Sequence, residues 1–502
     1  MNFQFPFPFL RRTCAIYLIL LFNTRSALAQ NNIDDNKNTS NRTAAEWEPA
    51  LGTLVVWPLS IPYKLAVELA KDNHLYTMIK DEAGKKDALN WYQRWRIDSA
   101  RNTFIYAPQG IDAWWTRDWG PHSVFSRTEK MRLGDGKYIF STPESGLGCS
   151  DTLTFLYQSK NGAMVKTTTE DEATVPLAKS LHFGVLDLPF ITTGGNVLTD
   201  GAGTAFSSCI LLNENKFYQV DEPSFRKMNQ ELLGFRNYHI LPNFEKMGIQ
   251  HVDCFMKLLD EERILVAEPP KGHVLFSLYD SIAKHSLATL KSAYGRPYQI
   301  LRIKTGRYSG ESLAAYTNSL ILNKTIYVPL FRIKEDSLAL KTFRKCMPGY
   351  VVKGFYFDLK DEPVVSNELK SHYKKYGWNS GDALHCRTRA IWDPEMLLIQ
   401  VKKVLSSVYS GQTQRVSATI TDYSKKGIIE GSVQLNWKLS GDSKWKSIPM
   451  KQAENPELYK AEIPSYQKGK TVEYYISATS HSGKKETMPR TAPFGTYTFT
   501  VK

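Results

Sequence analysis

The change of texture near residue 400 does most to limit what this chain can fold into. Beyond it, Val416-Ala418-Ile420, Val433-Leu435-Trp437-Leu439, Tyr459-Ala461-Ile463, Val472-Tyr474-Ile476-Ala478 and Tyr497-Phe499-Val501 alternate apolar with polar residues. A period of two puts every second side chain on one face of a strand, and short strands separated by Gly, Ser and Lys turns specify an antiparallel sandwich. Before the change, Leu54-Val55-Val56-Trp57, Ile264 to Ala267 and Ile326 to Val328 read as strands, while Leu275 to Tyr294 has near-helical spacing and stops at Gly295. That mixture is α/β. At 502 residues the chain exceeds the size at which one hydrophobic core stops growing, so at least two domains are expected.

The last domain, residues 400–502, is expected to be an all-β immunoglobulin-like sandwich with Trp437 as its core aromatic. It carries no cysteine, so packing alone must hold it. At the other end, Arg11 and Arg12 precede an apolar run from Cys14 to Phe22, and Ala27-Leu28-Ala29 follows. That order reads as a secretory signal peptide over 1–29, since the apolar run is far too short for a bilayer span. The mature protein is then secreted, extracellular or periplasmic, with no membrane span. Residues 30–44 are polar and read as a disordered lead-in to a catalytic domain over 45–399.

The formal charge is +14, or +11 without Arg11, Arg12 and Arg25. These charges are scattered rather than massed in a basic tract, which argues against nucleic acid and supports at most a loose association with anionic cell surfaces. Of six cysteines, Cys14 leaves with the leader, and Cys149, Cys209, Cys254, Cys346 and Cys386 remain. Their odd count and irregular spacing fit neither a disulfide scaffold nor a metal motif. Four read as buried small side chains; Cys386 does not.

Four segments carry chemistry. Trp114-Trp115-Thr116-Arg117-Asp118-Trp119-Gly120-Pro121 sets a carboxylate among aromatics at a turn. Thr193-Gly194-Gly195-Asn196, followed by Thr199-Asp200-Gly201 and Gly203-Thr204, is a glycine-dense loop. His251-Val252-Asp253 is expected on a strand, with imidazole and carboxylate on one side. Gly381-Asp382-Ala383-Leu384-His385-Cys386 ends a polar loop at a thiol. Each alone has a plain structural reading as a cap, a connection, a surface pair or a core thiol; together they suit one reaction. Asp118, Asn196, Asp253, Asn318 and Cys386 also lie 78, 57, 65 and 68 residues apart, as though each came from one of five similar units.

With Glu46-Trp47-Glu48-Pro49, Trp57-Pro58 and Tyr316-Thr317-Asn318-Ser319, these segments resemble the guanidino-group-modifying superfamily, and most closely the bacterial, Porphyromonas-type peptidylarginine deiminases. The resemblance covers roughly residues 45–398. It implies a five-bladed α/β propeller and hydrolysis of an arginine-like guanidinium in a peptide or protein, with no metal and no cofactor. It implies further that Cys386 is the nucleophile, that Asp118 and Asp253 grip the cation, and that His251 moves protons. Trp115 and Ile249 would wall the flat group, and Asn318 would orient substrate or thiol. The arginines of that family's loop for a C-terminal carboxylate are missing from Lys166-Thr167-Thr168-Thr169-Glu170-Asp171-Glu172, and Gly248 replaces a tyrosine. A preference for C-terminal arginine is therefore not carried over. Deimination of agmatine or free arginine, amidino transfer to an amine, and a non-catalytic surface-binding role are the competing readings.

Overall fold

A computed structural model describes residues 41–502 apart from 108–110, 112–113, 140, 144–152, 156–168, 246–247 and 374. The leader, most of the polar lead-in and Cys149 lie outside the described residues. So does much of the loop read from the sequence as the carboxylate clamp's counterpart.

Among the described residues five sheets share one motif, an antiparallel pair whose second strand takes a parallel neighbour. In chain order the motifs run His122–Ser126, Arg132–Lys137, Gly184–Ile191, then Leu198–Thr199, Thr204–Ser208, Asn237–Leu241. Met256–Asp260, Arg263–Glu268, Gln299–Lys304 follow, and then Leu320–Leu322, Thr325–Pro329, Val351–Phe355. The fifth closes the domain across the whole sequence: Arg389–Trp392 pairs antiparallel with Ala50–Val56, which runs parallel to His74–Ile79. Parallel neighbours need a crossover, and helices supply it. Tyr63–Asp72, between the last two strands, buries Leu65, Ala66, Leu69 and Ala70 along one stripe. Glu82–Arg94 starts where the Asp81 carboxylate accepts from the Gly84 N–H, satisfying one of the free donors of its first turn.

The strand-like runs at Leu54, Ile264 and Ile326 are strands. The Leu275–Tyr294 stretch is less regular than its spacing suggests. A helix over Phe276–Ser281 widens into a π turn and tightens into a 3-10 turn that ends at Thr289; Lys291 then bridges to Pro297. Strand pairing ends the helix before Gly295, whose φ of +75° serves the following turn instead.

From Leu397 the chain forms two sheets over one shared core, to which Val416, Ile420, Leu435, Trp437, Ile476 and Phe499 contribute. All five alternating segments are strands there. The first strand, Leu397–Val401, starts slightly before the expected boundary. No described helix is long and apolar enough to cross a membrane.

The lead-in requires a correction at its end: Asn41–Thr43 is a strand paired with Val124–Ser126. Composition hides this order because charge rather than apolar burial secures it. Arg42 Nη1 donates to both Glu48 carboxylate oxygens at 2.7 and 2.8 Å and to the Gly201 carbonyl, and Nε donates to the Tyr423 hydroxyl at 3.2 Å. One guanidinium thereby ties the first strand to the Trp47 turn, the glycine loop and the C-terminal sheets. Arg42→Ala would leave Glu48 buried without its partner and should cost about 3–5 kcal/mol, whereas Arg42→Met with Glu48→Leu should recover most of that loss. Urea denaturation of both variants checks the order.

Candidate active site

Asp118, Asn196, Asp253, Asn318 and Cys386 each lie just before the first strand of one motif, strands that begin at His122, Leu198, Met256, Leu320 and Arg389. The near-even spacing in the sequence is therefore a repeat of sheets, each delivering one polar side chain at the same place. His251-Val252-Asp253 departs from the strand expected of it. Val252–Cys254 is a 3-10 turn, because the Cys254 and Phe255 N–H groups bond back to His251 and Val252 instead of to a neighbouring strand.

Gly195 marks where these groups meet. A Cβ added there would lie 2.4 Å from Asp118 Oδ1, 3.0 Å from His251 Nδ1 and 3.2 Å from Asp253 Oδ2. Three side chains from two segments thus surround one bare backbone position of a third, whose N–H donates to Asp118 Oδ1 at 3.0 Å. His251 Nδ1 sits 3.4 Å from the same oxygen, an ion pair rather than a hydrogen bond. The Cys386 thiol donates to Asp253 Oδ2 at 3.6 Å. Asn318 Nδ2 donates to Cys386 Sγ at 3.1 Å, while its Oδ1 accepts from the His385 and Cys386 N–H groups at 3.0 and 3.2 Å. One amide fixes both the sulfur and the backbone carrying it.

Trp115 and Ile249 are partly exposed beside this cluster. Trp115 Nε1 donates to Asp382 Oδ2 at 2.7 Å, a carboxylate also held by Arg387 in a two-pronged grip and by the Tyr373 hydroxyl. Ile249 packs 3.9 Å from the Cβ position of Gly381, whose carbonyl is 3.9 Å from Cys386 Sγ. Asn196 points elsewhere, accepting from the Ser208 and Val252 N–H groups, and so fastens the glycine loop to the Asp253 turn.

Sequence reasoning missed the partners that keep these charges in place. His385 Nδ1 lies 2.7 Å from Asp253 Oδ2 and its Nε2 3.0 Å from Glu46 Oε2. Glu46 also meets Lys257 Nζ at 2.8 Å and the Ile321 N–H at 2.8 Å. Both residues sit inside motifs already singled out, but 339 positions separate them and no local pattern joins them. Arg117, beside Asp118, donates from its N–H to the Cys386 carbonyl and from Nε to the His385 carbonyl. Cysteine chemistry also differs from the sequence reading at Cys209, which is disulfide-bonded; among the described residues Cys254, Cys346 and Cys386 are free.

The electrostatics follow from that geometry. Burial would raise the Asp253 carboxyl, but His385, and behind it His251 and Arg117, hold it below the usual range. Burial would likewise raise Glu46, which His385 and Lys257 hold well below its ordinary value. Burial alone would push the His251 imidazole down; Asp118, then Asp253 and Glu214, outweigh it and lift it to about 9. Burial pushes the Cys386 thiol up to about 12, with Asp253, Asp382 and Asp118 adding to the rise and the Cys254 thiol opposing it. The cluster therefore holds a protonated thiol and a charged imidazole among buried carboxylates.

Residues 42–358 match the Porphyromonas-type peptidyl-arginine deiminases. The chain belongs to this family. The matched stretch holds Asp118, His251, Asp253 and Asn318 and ends before Cys386, whose placement is given by geometry. A Mycoplasma mycoides relative named as an agmatine deiminase is 22% identical over 387 residues, 68% of this chain and 93% of that one. A Vibrio parahaemolyticus relative of the same name is 25% identical over 192 residues, where the match spans 33% of this chain and 52% of that protein. Among solved structures, a Porphyromonas gingivalis protein named as an arginine deiminase is similar at TM-score 0.52, 17% identity, 70% of this chain and 99% of its own. The agmatine deiminase of Enterococcus faecalis is similar at TM-score 0.52, 18% identity, 71% of this chain and 96% of its own. The fold is that of the arginine and agmatine deiminases, α/β and propeller-like, and the family's chemistry is deimination of a guanidino group.

Two outcomes follow from the site. Gly195→Ala must displace Asp118 or His251, and should lower ammonia release from a guanidino substrate about 100-fold while the circular dichroism spectrum is kept. His251, raised from 6.5 to about 9, contributes stability that is complete below about pH 6.5 and lost as pH climbs through about 9. Urea denaturation across that window should show a steeper fall for the native protein than for His251→Gln.

Proposed function

We propose that this protein is an exported deiminase that hydrolyses the guanidinium of peptidyl-arginine to a ureido group and ammonia. Residues 45–399 would be the catalytic domain, with its five sheets as propeller blades, and residues 400–502 an immunoglobulin-like module. The convergence of Asp118, His251 and Asp253 on Gly195, with Cys386 Sγ 3.6 Å from Asp253, carries this reading. Two ionised carboxylates can each accept paired N–H donors from one planar cation, and the Trp115 ring beside them adds cation–π attraction.

A bound cation would place positive charge beside Asp118, Asp253 and the Cys386 thiol. Once it neutralises Asp118 and Asp253, the influences that raise the Cys386 thiol weaken and the thiolate becomes accessible. Sulfur attacks the guanidinium carbon, and its electron pair forms the C–S bond of a tetrahedral adduct. His251, charged at neutral pH, gives its proton to a departing nitrogen, which leaves as ammonia and creates an amidino-thioether. Neutral His251 then takes a proton from water, the hydroxide attacks the same carbon, and the C–S bond breaks to release the ureido product and the thiolate. The steps call on no metal or cofactor.

Two features favour arginine within a chain over a free C-terminal arginine. Gly248, where the resemblance implies a tyrosine, has φ +119°, a conformation that side-chain-bearing residues rarely adopt. The described end of the clamp segment, Thr169–Glu172, is acidic rather than basic. The agmatine deiminases among the relatives favour a second reading, a small guanidino substrate. Turnover of agmatine, free arginine, an internal-arginine peptide and peptides with free or blocked C-termini separates the two. The internal-arginine peptide should be fastest, and agmatine outpacing every peptide would reverse the assignment. Cys386→Ala should reduce ammonia release by about a thousandfold or more on every substrate.

A further inference from the structure

The proposed mechanism uses one of two neighbouring thiols. Cys254 ends the 3-10 turn that carries Asp253, is 6% exposed, and has its Sγ no more than 4.8 Å from that of Cys386. Asn318 Nδ2 donates to both sulfurs, at 3.1 Å to Cys386 and 3.7 Å to Cys254. The backbone of Cys254 is already fixed, its N–H on the His251 carbonyl and its carbonyl on the Thr317 hydroxyl. Its side chain belongs to the hydrophobic core of the larger domain, and its thiol donates to Asp253 Oδ1 at 3.5 Å.

We propose that Cys254 and Cys386 form an oxidative modification site for hydroperoxides, in which Cys254 resolves an oxidised Cys386 and preserves it in a recoverable form. The inference rests on the reading of Cys386 as the reactive sulfur. The Cys386 thiolate attacks the outer peroxide oxygen, forming an S–O bond and breaking the O–O bond. Sulfur is oxidised by two electrons to a sulfenic acid, and the other oxygen leaves as an alcohol or water after taking a proton. The Cys254 sulfur then attacks the sulfenic sulfur; the S–O bond breaks, hydroxide leaves as water with the Cys254 proton, and a disulfide remains. Closing the gap to a bond of about 2 Å needs side-chain rotation and small shifts of two turns, neither of them held in a sheet. An external dithiol reverses the step, taking up the disulfide and returning both thiols. Without a second thiol at this distance, the sulfenic acid meets further peroxide and passes to sulfinic and sulfonic acids, which thiols do not reduce.

The test uses the full chain, purified reduced, exposed to hydrogen peroxide and then to dithiothreitol, beside Cys254→Ser and Cys254→Ala. Non-reducing peptide mapping of the native protein should find a peptide pair joining Cys254 to Cys386, and dithiothreitol should restore its activity. Both variants should recover about fivefold less activity and carry over-oxidised Cys386. The site does not exist if the joined peptides are absent from the native protein, or if native and variant chains accumulate over-oxidised Cys386 alike. Because the mass measurement needs no turnover, it decides this point even if no guanidino substrate is converted.

Discussion

The candidate active site depends on burying several carboxylates close together, each beside a basic or hydrogen-bonding partner. Asp118, Asp253 and Glu46 are all largely buried, and a buried charge survives only if it is paired and hydrogen-bonded. The His385 ring meets this demand by bridging the two, with one nitrogen against Asp253 and the other against Glu46. Lys257 anchors the far end of that chain, and His251 stands against Asp118 at the near end. Arg117 serves the backbone instead, and Asp118 and Asp253 both lie against Gly195.

The scaffold turns that demand into geometry. Each sheet offers the residue just before its first strand, so the site is assembled from five backbone positions that are rigid for reasons unrelated to chemistry. Local fastenings remove the remaining slack. Asn318 locks the sulfur and its own backbone together, Asn196 ties the glycine loop to the Asp253 turn, and Arg117 grips the carbonyls of His385 and Cys386. Arg42 does the same at a larger scale, tying the entry strand to the C-terminal sheets through Tyr423. The rim is held by Asp382, which positions Trp115 while Arg387 and Tyr373 hold Asp382.

The same burial that would sharpen a grip on a cation also raises the thiol proposed as nucleophile. With its thiol pushed up to about 12, only a small part of Cys386 is ionised before positive charge arrives, so a bound cation would quicken its reactions. A resting thiol beside a second thiol is also a place where oxidation has a defined outcome, and the Asn318 amide that orients the nucleophile orients its neighbour too.

The sequence by itself determined the local elements. Period-two alternation marked the C-terminal strands, short β-branched runs marked strands of the larger domain, and motif residue types named Asp118, His251, Asp253, Asn318 and Cys386. These are legible because side-chain periodicity and residue chemistry are local properties. Only the tertiary structure decided which partners keep the charges alive: Glu46 with His385, Arg42 with Glu48 and Tyr423, Cys254 beside Cys386. It also decided that Gly195 is the floor of the site and that His251 and Asp253 share a turn rather than a strand face. Pairings across hundreds of residues leave no periodic trace, because the balance between burial and compensating charge is struck only when the sheets bring those side chains together.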